Sequence, residues 1–289
     1  MKTARVEKIR QVYVSDLDMT LLQPDSRLSP FAIANINNLV GKGVLFTVAS
    51  ARSVKSIQPL LDKVQLPLPV IEFNGSFISD LKTGEHLYIN DLEKSAIHVT
   101  ADILQKHSLN YFLSTFDNRT DKLHYIKAEN PGEEWYVSNR KYFNDKRLNQ
   151  VTSLSNHFAE KVVCFTAINR REILLPIIDE LNSANENIEI QLQENYSSPG
   201  WYWLTVHSHL ASKDQAISCL LKHCKLLDSR VTAFGDNTND VKMIKSAHRG
   251  IAVENALQVL KDSADLIIGP NTEDSVVRYI ADECGIELI

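Results

Sequence analysis

The feature that most constrains this chain is an apolar run that ends on paired carboxylates. Gln11-Val12-Tyr13-Val14-Ser15 leads directly into Asp16-Leu17-Asp18, and far along the chain Val231-Thr232-Ala233-Phe234 leads into Gly235-Asp236. Short β-rich runs set between helical patterns predict strands of a mostly parallel sheet, joined by βαβ crossovers. A helix is expected over residues 30–40, with Ser29 as N-cap and Pro30 at the first helical position, ended by Gly41-Lys42-Gly43. A strand at 44–49, a helix at 53–63 and a strand at 69–73 stopped by Asn74-Gly75 continue the alternation. It resumes after His209, with a helix at 212–224, strands at 231–234, 250–253 and 266–268, and a closing helix at 272–284.

Between these ends the texture changes. A helix is expected near 92–107, strands near 111–116, 122–126 and 161–167, a helix at 171–181, and strands near 188–193 and 202–207. Such runs with antiparallel turns suggest an α+β layer. The expected fold class is therefore α/β, a Rossmann-like doubly wound parallel-sheet core with an inserted α+β module. The core would take residues 1–83 and 209–289, and the insertion 84–208. No internal repeat or low-complexity tract is present.

Composition narrows the function classes. With 289 residues and 44% hydrophobic content the chain can bury a large core. The formal net charge is -5, and basic residues form no stripe of the kind that binds nucleic acid. No apolar run reaches the roughly 18–20 residues that span a bilayer. Met1-Lys2-Thr3-Ala4-Arg5 is basic, but no apolar segment follows as in a secretory leader. Cys164, Cys219, Cys224 and Cys284 form no C-x-x-C pair, as expected of reduced thiols in a cytoplasm. His207 and His209 would point to opposite faces of a strand and read as structural. A cytoplasmic protein is expected, monomer or homodimer, with no nucleic-acid or membrane partner.

Four segments carry chemistry. Asp16 and Asp18 lie just past a strand, where open α/β sheets bind ligands. Asp16 could bind a hard divalent cation or act as a nucleophile, and Asp18 could act as acid and base. A turn with caps alone would look the same. Asp236 and Asp240, in Gly235-Asp236-Asn237-Thr238-Asn239-Asp240, suit a metal, though Asp and Asn also cap helices. In Thr47-Val48-Ala49-Ser50-Ala51-Arg52, Ser50 suits a phosphate oxygen and Arg52 a bidentate contact, or else an N-cap and a surface arginine. Lys213 opens a helix, where the dipole slightly disfavours a cation. It could neutralise a phosphoryl group or be a solvated lysine.

Taken in order, these segments resemble the haloacid dehalogenase-like hydrolases, in the Cof-type branch with an α/β cap of the second class. Asp16-Leu17-Asp18-Met19-Thr20 matches the first motif, Val48-Ala49-Ser50-Ala51-Arg52 the second, Lys213 the third and the segment 235–240 the fourth. Asn74-Gly75 and Ile251-Ala252-Val253-Glu254-Asn255-Ala256 are similar to recurrent features of that branch. The resemblance covers both ends of the chain, while the middle matches only in size and position. It implies a phosphatase acting on a small phosphorylated substrate, a phosphosugar or similar, with Mg2+ as cofactor. Asp16 would be nucleophile and metal ligand. Asp18 would be acid and base and give the metal its carbonyl. Ser50 and Lys213 would hold the phosphoryl group, and Asp236 would bind the metal with Asp240 in support. Asn239 would touch phosphate, with Arg52 and Asn74 near substrate. Met19, Ser50, Ala51 and Asp214 depart from the common pattern, which predicts tighter access near Met19 and Ala51. The insertion would act as a lid. Trp201, Tyr202 and Trp203 could line a sugar-binding face, although core packing is the plainer reading for the two tryptophans. A phosphomutase, a receiver-type module and a retired binding protein are the rivals. The receiver is disfavoured by length, and the binding protein by the presence of both Asp16 and Asp18.

Overall fold

A computed structural model describes residues 10–195 and 198–289. The segment read above for a leader, Met1 to Arg5, lies outside the described residues. The chain separates into two compact units. One holds the residues through Tyr88 together with Ser212–Ile289, and the other holds Ile89–Ala211.

The first unit is built on a five-stranded, wholly parallel sheet. Its order runs from Leu266–Ile268 through Arg249–Val253, Arg230–Gly235 and Gln11–Ser15 to Leu45–Val48. Gln11–Ser15 lies second from one edge. From it the chain moves outward to Leu45–Val48, whereas from its neighbour Arg230–Gly235 the chain winds the other way. The two central strands therefore flank a topological switch point, where a crevice opens beyond their carboxyl ends. Their register sets Ser15 beside Phe234, so the residues that follow each strand emerge side by side. The inner strand residues Val12, Val14, Ala233 and Phe234 are fully buried, as a sheet covered on both faces requires.

Pro30–Gly41 is a helix with the expected start: the Ser29 hydroxyl accepts from Ala32 N–H at 2.9 Å. The helix expected over 53–63 shrinks to Val54–Ile57 followed by turns. Pro59 lies inside the expected span, lacks an N–H and disfavours helical geometry in the residue before it. A feature missed from sequence is the three-stranded sheet of Val70–Glu72, Phe77–Ser79 and His86–Ile89, in which the first two pair antiparallel. It abuts the second expected strand through the Ala49–Ile71 bridge.

The second unit is a six-stranded sheet ordered Ile188–Glu194, Tyr202–Ser208, Lys161–Asn169, Phe112–Phe116, Asp121–Tyr125 and Leu148–Gln150. All pairs are antiparallel except the last. Helices Lys94–Lys106 and Arg171–Ala184 cover one face through Ile97, Leu104, Leu174 and Ile177, packed on Leu113, Phe165 and Leu204. Pro131–Tyr142, a helix not expected from sequence, contributes Tyr136 and Val137 to a cluster with Phe112, Tyr125 and Ile168. Trp201 and Trp203 pack against this second cluster, and Tyr202 against the first, so period-two alternation separates them as expected. The fold class is the expected one: a parallel α/β sheet plus an inserted α+β layer.

Candidate active site

The crevice of the first unit collects charge because of how its strands end. Asp16 N–H donates to the Phe234 carbonyl at 2.9 Å, extending the ladder one step past the strand and fixing Asp16 at its tip. Asp236 follows the adjacent strand, and Thr20 Oγ1 donates to its Oδ1 at 2.9 Å. A single 3-10 turn, Thr238–Asp240, then swings Asp240 back. Its Oδ2 accepts from the N–H groups of Asp236 and Asn237 at 3.1 and 3.2 Å. Gly235 allows this return, since a Cβ there would lie 2.6 Å from Asp240 Cβ.

Lys213 is the first residue of the helix Lys213–His223 and its side chain is fully buried. Nζ donates to Asp16 Oδ1 at 2.5 Å and to Asp240 Oδ1 at 2.6 Å. The helix start is pressed against the Asn74-Gly75 turn. Gly75 has φ +111°, and a Cβ on it would fall 2.5 Å from the Ser212 carbonyl oxygen. Asn74 lies in the left-handed region at φ 53°, and its Oδ1 accepts from Asn239 Nδ2 at 3.1 Å. Its backbone N–H donates to the Ser50 carbonyl at 2.9 Å. Ser50 is buried, and its hydroxyl accepts from Arg52 N–H at 3.2 Å.

Asp16, Asp236 and Asp240 are all buried, and one carboxylate oxygen from each lies within 4.8 Å of the others. Burial pushes Asp16 well above the ordinary carboxylate range; Lys213 opposes the rise, and Asp240 and Asp236 add to it. Asp236 is pushed up to about 7, by burial and then by the charge of Asp240. For Lys213 burial disfavours the charge, but Asp16 and Asp240 outweigh it and hold the ammonium protonated. Three carboxylates thus face one ammonium in a poorly solvated crevice. Oxygen donors with surplus negative charge are what a hard divalent cation requires, so these residues fit magnesium.

The Asp18 carboxylate is not one of this group. Arg52 holds it in a two-pronged ion pair, with Nε and Nη2 at 2.7 and 2.6 Å, and both side chains are partly exposed. Met19 follows at φ 57°, the left-handed region in which glycine is favoured, and its carbonyl accepts from Asn255 Nδ2 at 2.8 Å. Thr20 and Asn255 sit within segments already singled out, yet their contacts to Asp236 and Met19 O could not be read from sequence. A second set of possible ligands, His124, His157 and Glu160, lies in the other unit. The two rings stack at 3.7 Å with planes 17° apart. Both donate toward Glu160 instead, and no metal is assigned there.

Comparison with known proteins identifies the family. The chain matches the haloacid dehalogenase-like hydrolase family over residues 13–280. This chain belongs to that family. Its enzyme class is that of the phosphoric monoester hydrolases. The hydrolase is 27% identical to a 5-amino-6-(5-phospho-D-ribitylamino)uracil phosphatase of Bacillus subtilis, covering 92% of this chain and 95% of the relative. It is 24% identical to a pyridoxal phosphate phosphatase of Escherichia coli, covering 93% and 97%. The crystal structure of a haloacid dehalogenase-like hydrolase from Bacteroides thetaiotaomicron shares the fold with a TM-score of 0.74 at 23% identity, covering 96% of this hydrolase and all of that chain. Among the described residues no helix of the hydrolase is long and apolar enough to cross a membrane.

Proposed function

We propose that this hydrolase is a magnesium-dependent phosphatase that clears a phosphoryl group from a small metabolite through an aspartyl-phosphate on Asp16. The observation that carries the reading is the Lys213 ammonium clamped between Asp16 and Asp240, with Asp236 beside them, at the switch point of the parallel sheet. Asp16 and Asp236 would hold magnesium, with the Asp18 carbonyl and Asp240 in support. Bound magnesium supplies positive charge to the transferring phosphoryl group and offsets the carboxylates it touches.

An Asp16 carboxylate oxygen attacks phosphorus, and the ester P–O bond breaks toward the leaving oxygen. Asp18 donates that oxygen its proton. Asp18 then takes a proton from water, the water oxygen attacks phosphorus, and the bond to Asp16 breaks to free inorganic phosphate. Asp18 must leave Arg52 to reach the leaving oxygen, because the guanidinium fork engages both of its carboxylate oxygens. A phosphate arriving at Arg52 competes for the same fork and releases it. Ser50, Lys213 and Asn239 hold the remaining oxygens, and Asn74 positions Asn239. Residues 1–83 and 209–289 serve as the catalytic core and residues 84–208 as the module that sets specificity. A phosphosugar, or a similar monoester such as a phosphorylated sugar alcohol, is the substrate class. Relatives named for a phosphoribityl compound and for pyridoxal phosphate support a small monoester.

The test is release of inorganic phosphate from a panel of phosphorylated metabolites, with magnesium and with a chelator. Magnesium-dependent release from a few related monoesters is expected. No release from any of them by folded, metal-loaded protein would overturn the reading, and transfer to a second sugar without release would indicate a mutase.

A further inference from the structure

Glu72 is a carboxylate buried to 0% exposure that takes no part in the Asp16 cluster. One of its oxygens accepts from the backbone N–H of Val54, and the other from the Ser79 hydroxyl. His86 Nδ1 lies 3.1 Å from that second oxygen and 2.7 Å from Ser79 Oγ. The single Ser79 proton is directed to Glu72, so Ser79 Oγ accepts from His86 Nδ1–H. The His86 ring is held by stacking on Phe77 at 4.0 Å, with planes 16° apart. Serine and glutamate meet the same ring nitrogen, so the trio lacks the two-ended histidine relay of a hydrolytic triad. It is a fixed polar network. Val54 N–H and the Ser79 hydroxyl donate to different oxygens of Glu72, so both oxygens serve as acceptors, a demand an amide cannot meet.

What this network grips is the loop that carries Ser50 and Arg52. Ser50 N–H donates to the Ile71 carbonyl at 2.9 Å, and Phe73 N–H to the Arg52 carbonyl at 3.1 Å. These two bonds tie the loop to the strand Val70–Glu72 and the residue after it, and the bond from Glu72 to Val54 N–H closes the stitch at the loop's far end. The Ser50 hydroxyl accepts from Arg52 N–H, so hydroxyl and guanidinium move together if the loop shifts.

We infer that Glu72 is a positioning residue for phosphate binding: its buried carboxylate, anchored by Ser79 and His86, locks the 50–53 loop so that Ser50 and Arg52 face the phosphate together. The inference rests on the phosphate-binding role given above to Ser50 and Arg52, and it places Glu72 behind them, touching neither substrate nor metal.

Glu72→Gln keeps the volume but offers one acceptor where two are needed. Its KM for the best monoester should rise about tenfold with kcat changed less than about threefold, and the inhibition constant of inorganic phosphate should rise in parallel. The magnesium concentration for half-activity should stay at the wild-type value, because the Asp16 cluster is untouched. In a Ser50→Ala background Glu72→Gln should add less KM loss than in the wild type, since one of the two groups it positions is already gone. Amide hydrogen exchange over 50–54 should accelerate while peptides around Asp16 and Lys213 keep wild-type protection. Exchange needs no turnover, so it reads the hold on the loop even if no monoester is hydrolysed. That result would sink the phosphatase reading separately. Wild-type KM and exchange in Glu72→Gln would overturn the inference, as would full additivity with Ser50→Ala. Losses shared equally by kcat, KM and the magnesium constant, with faster exchange everywhere, would show a merely structural role. If Glu72→Gln does not fold, Ser79→Ala removes one anchor only and should give the same KM-selective change at smaller size.

Discussion

The two units bury ionisable groups in opposite ways. The parallel-sheet unit gathers Asp16, Asp236, Asp240 and Lys213 at the tips of its two central strands, with like charges facing one another. The inserted unit sets its buried ionisable groups against hydrogen-bond partners or an opposite charge, as where His124 and His157 both reach Glu160. His207 sits with Nδ1 at 3.2 Å from the Val163 carbonyl, and burial lowers its pKa to about 4, so it is neutral. Glu133 accepts from the Glu129 backbone N–H at 2.7 Å and its own N–H donates to Asn130 Oδ1 at 3.0 Å, while burial, helped by the Glu129 charge, raises its pKa. Burying like charges together destabilises a fold, so where a chain retains such a cluster the reason is chemistry.

Four perturbations sharpen or break that contrast. Lys213→Met strips the ammonium that Asp16 and Asp240 share. Turnover should fall on the order of 10²–10³-fold. Without divalent metal, stability should drop by about 3–5 kcal/mol, the usual cost of orphaning a buried ion-pair partner. Added magnesium should return part of that loss through mass action, read as a rise in Tm. An unchanged Tm in chelator would mean that the charges are not coupled. Phe165→Ala, in the fully buried core of the inserted unit, should cost about 3–5 kcal/mol by leaving a cavity. Magnesium affinity, measured by calorimetry on the folded variant, should not change, and a weakened affinity would couple the packing of one unit to the metal site of the other.

The third perturbation is acid. The unfolded chain protonates His207 near its ordinary 6.5, whereas the folded state resists down to about 4. Between those values the unfolded state binds more protons, so stability is complete above 6.5 and declines as pH falls. The loss from this group is about 2–3 kcal/mol by pH 4.5. Denaturant titrations at pH 7 and 4.5 should show it, and His207→Gln should flatten the dependence. The smallest effect is Ser29→Ala, which removes the N-cap of the helix Pro30–Gly41 and should cost about 1 kcal/mol with no change in kcat/KM.

Sequence reading reached the parts whose signals are local. Ser29-Pro30 announced a helix start, and the carboxylates after two apolar strands announced the crevice because strand ends and turn chemistry are written in adjacent residues. The inserted unit was legible as alternating strands, but the helix Pro131–Tyr142 was passed over despite Asn130 at its cap and Pro131 at its first turn. The hairpin strands Phe77–Ser79 and His86–Ile89 are three and four residues long, too short for periodicity to register. Asp18 is expected as acid and base, and its pairing with Arg52 depends on side-chain reach across a loop, which spacing does not encode. Glu72 was invisible for the same reason: its partners Val54, Ser79 and His86 come from three separate segments and meet only after the sheet Val70–Ile89 forms.

In the proposed mechanism the phosphoryl group passes through Asp16. The measurement is acid quenching of the enzyme during turnover of a radiolabelled monoester with magnesium present, followed by peptide mapping. Label on the peptide that carries Asp16, absent when the chelator replaces magnesium and absent in Asp16→Asn, is the predicted result. Steady turnover by an Asp16→Asn protein, or label fixed on a peptide that lacks Asp16, would contradict it.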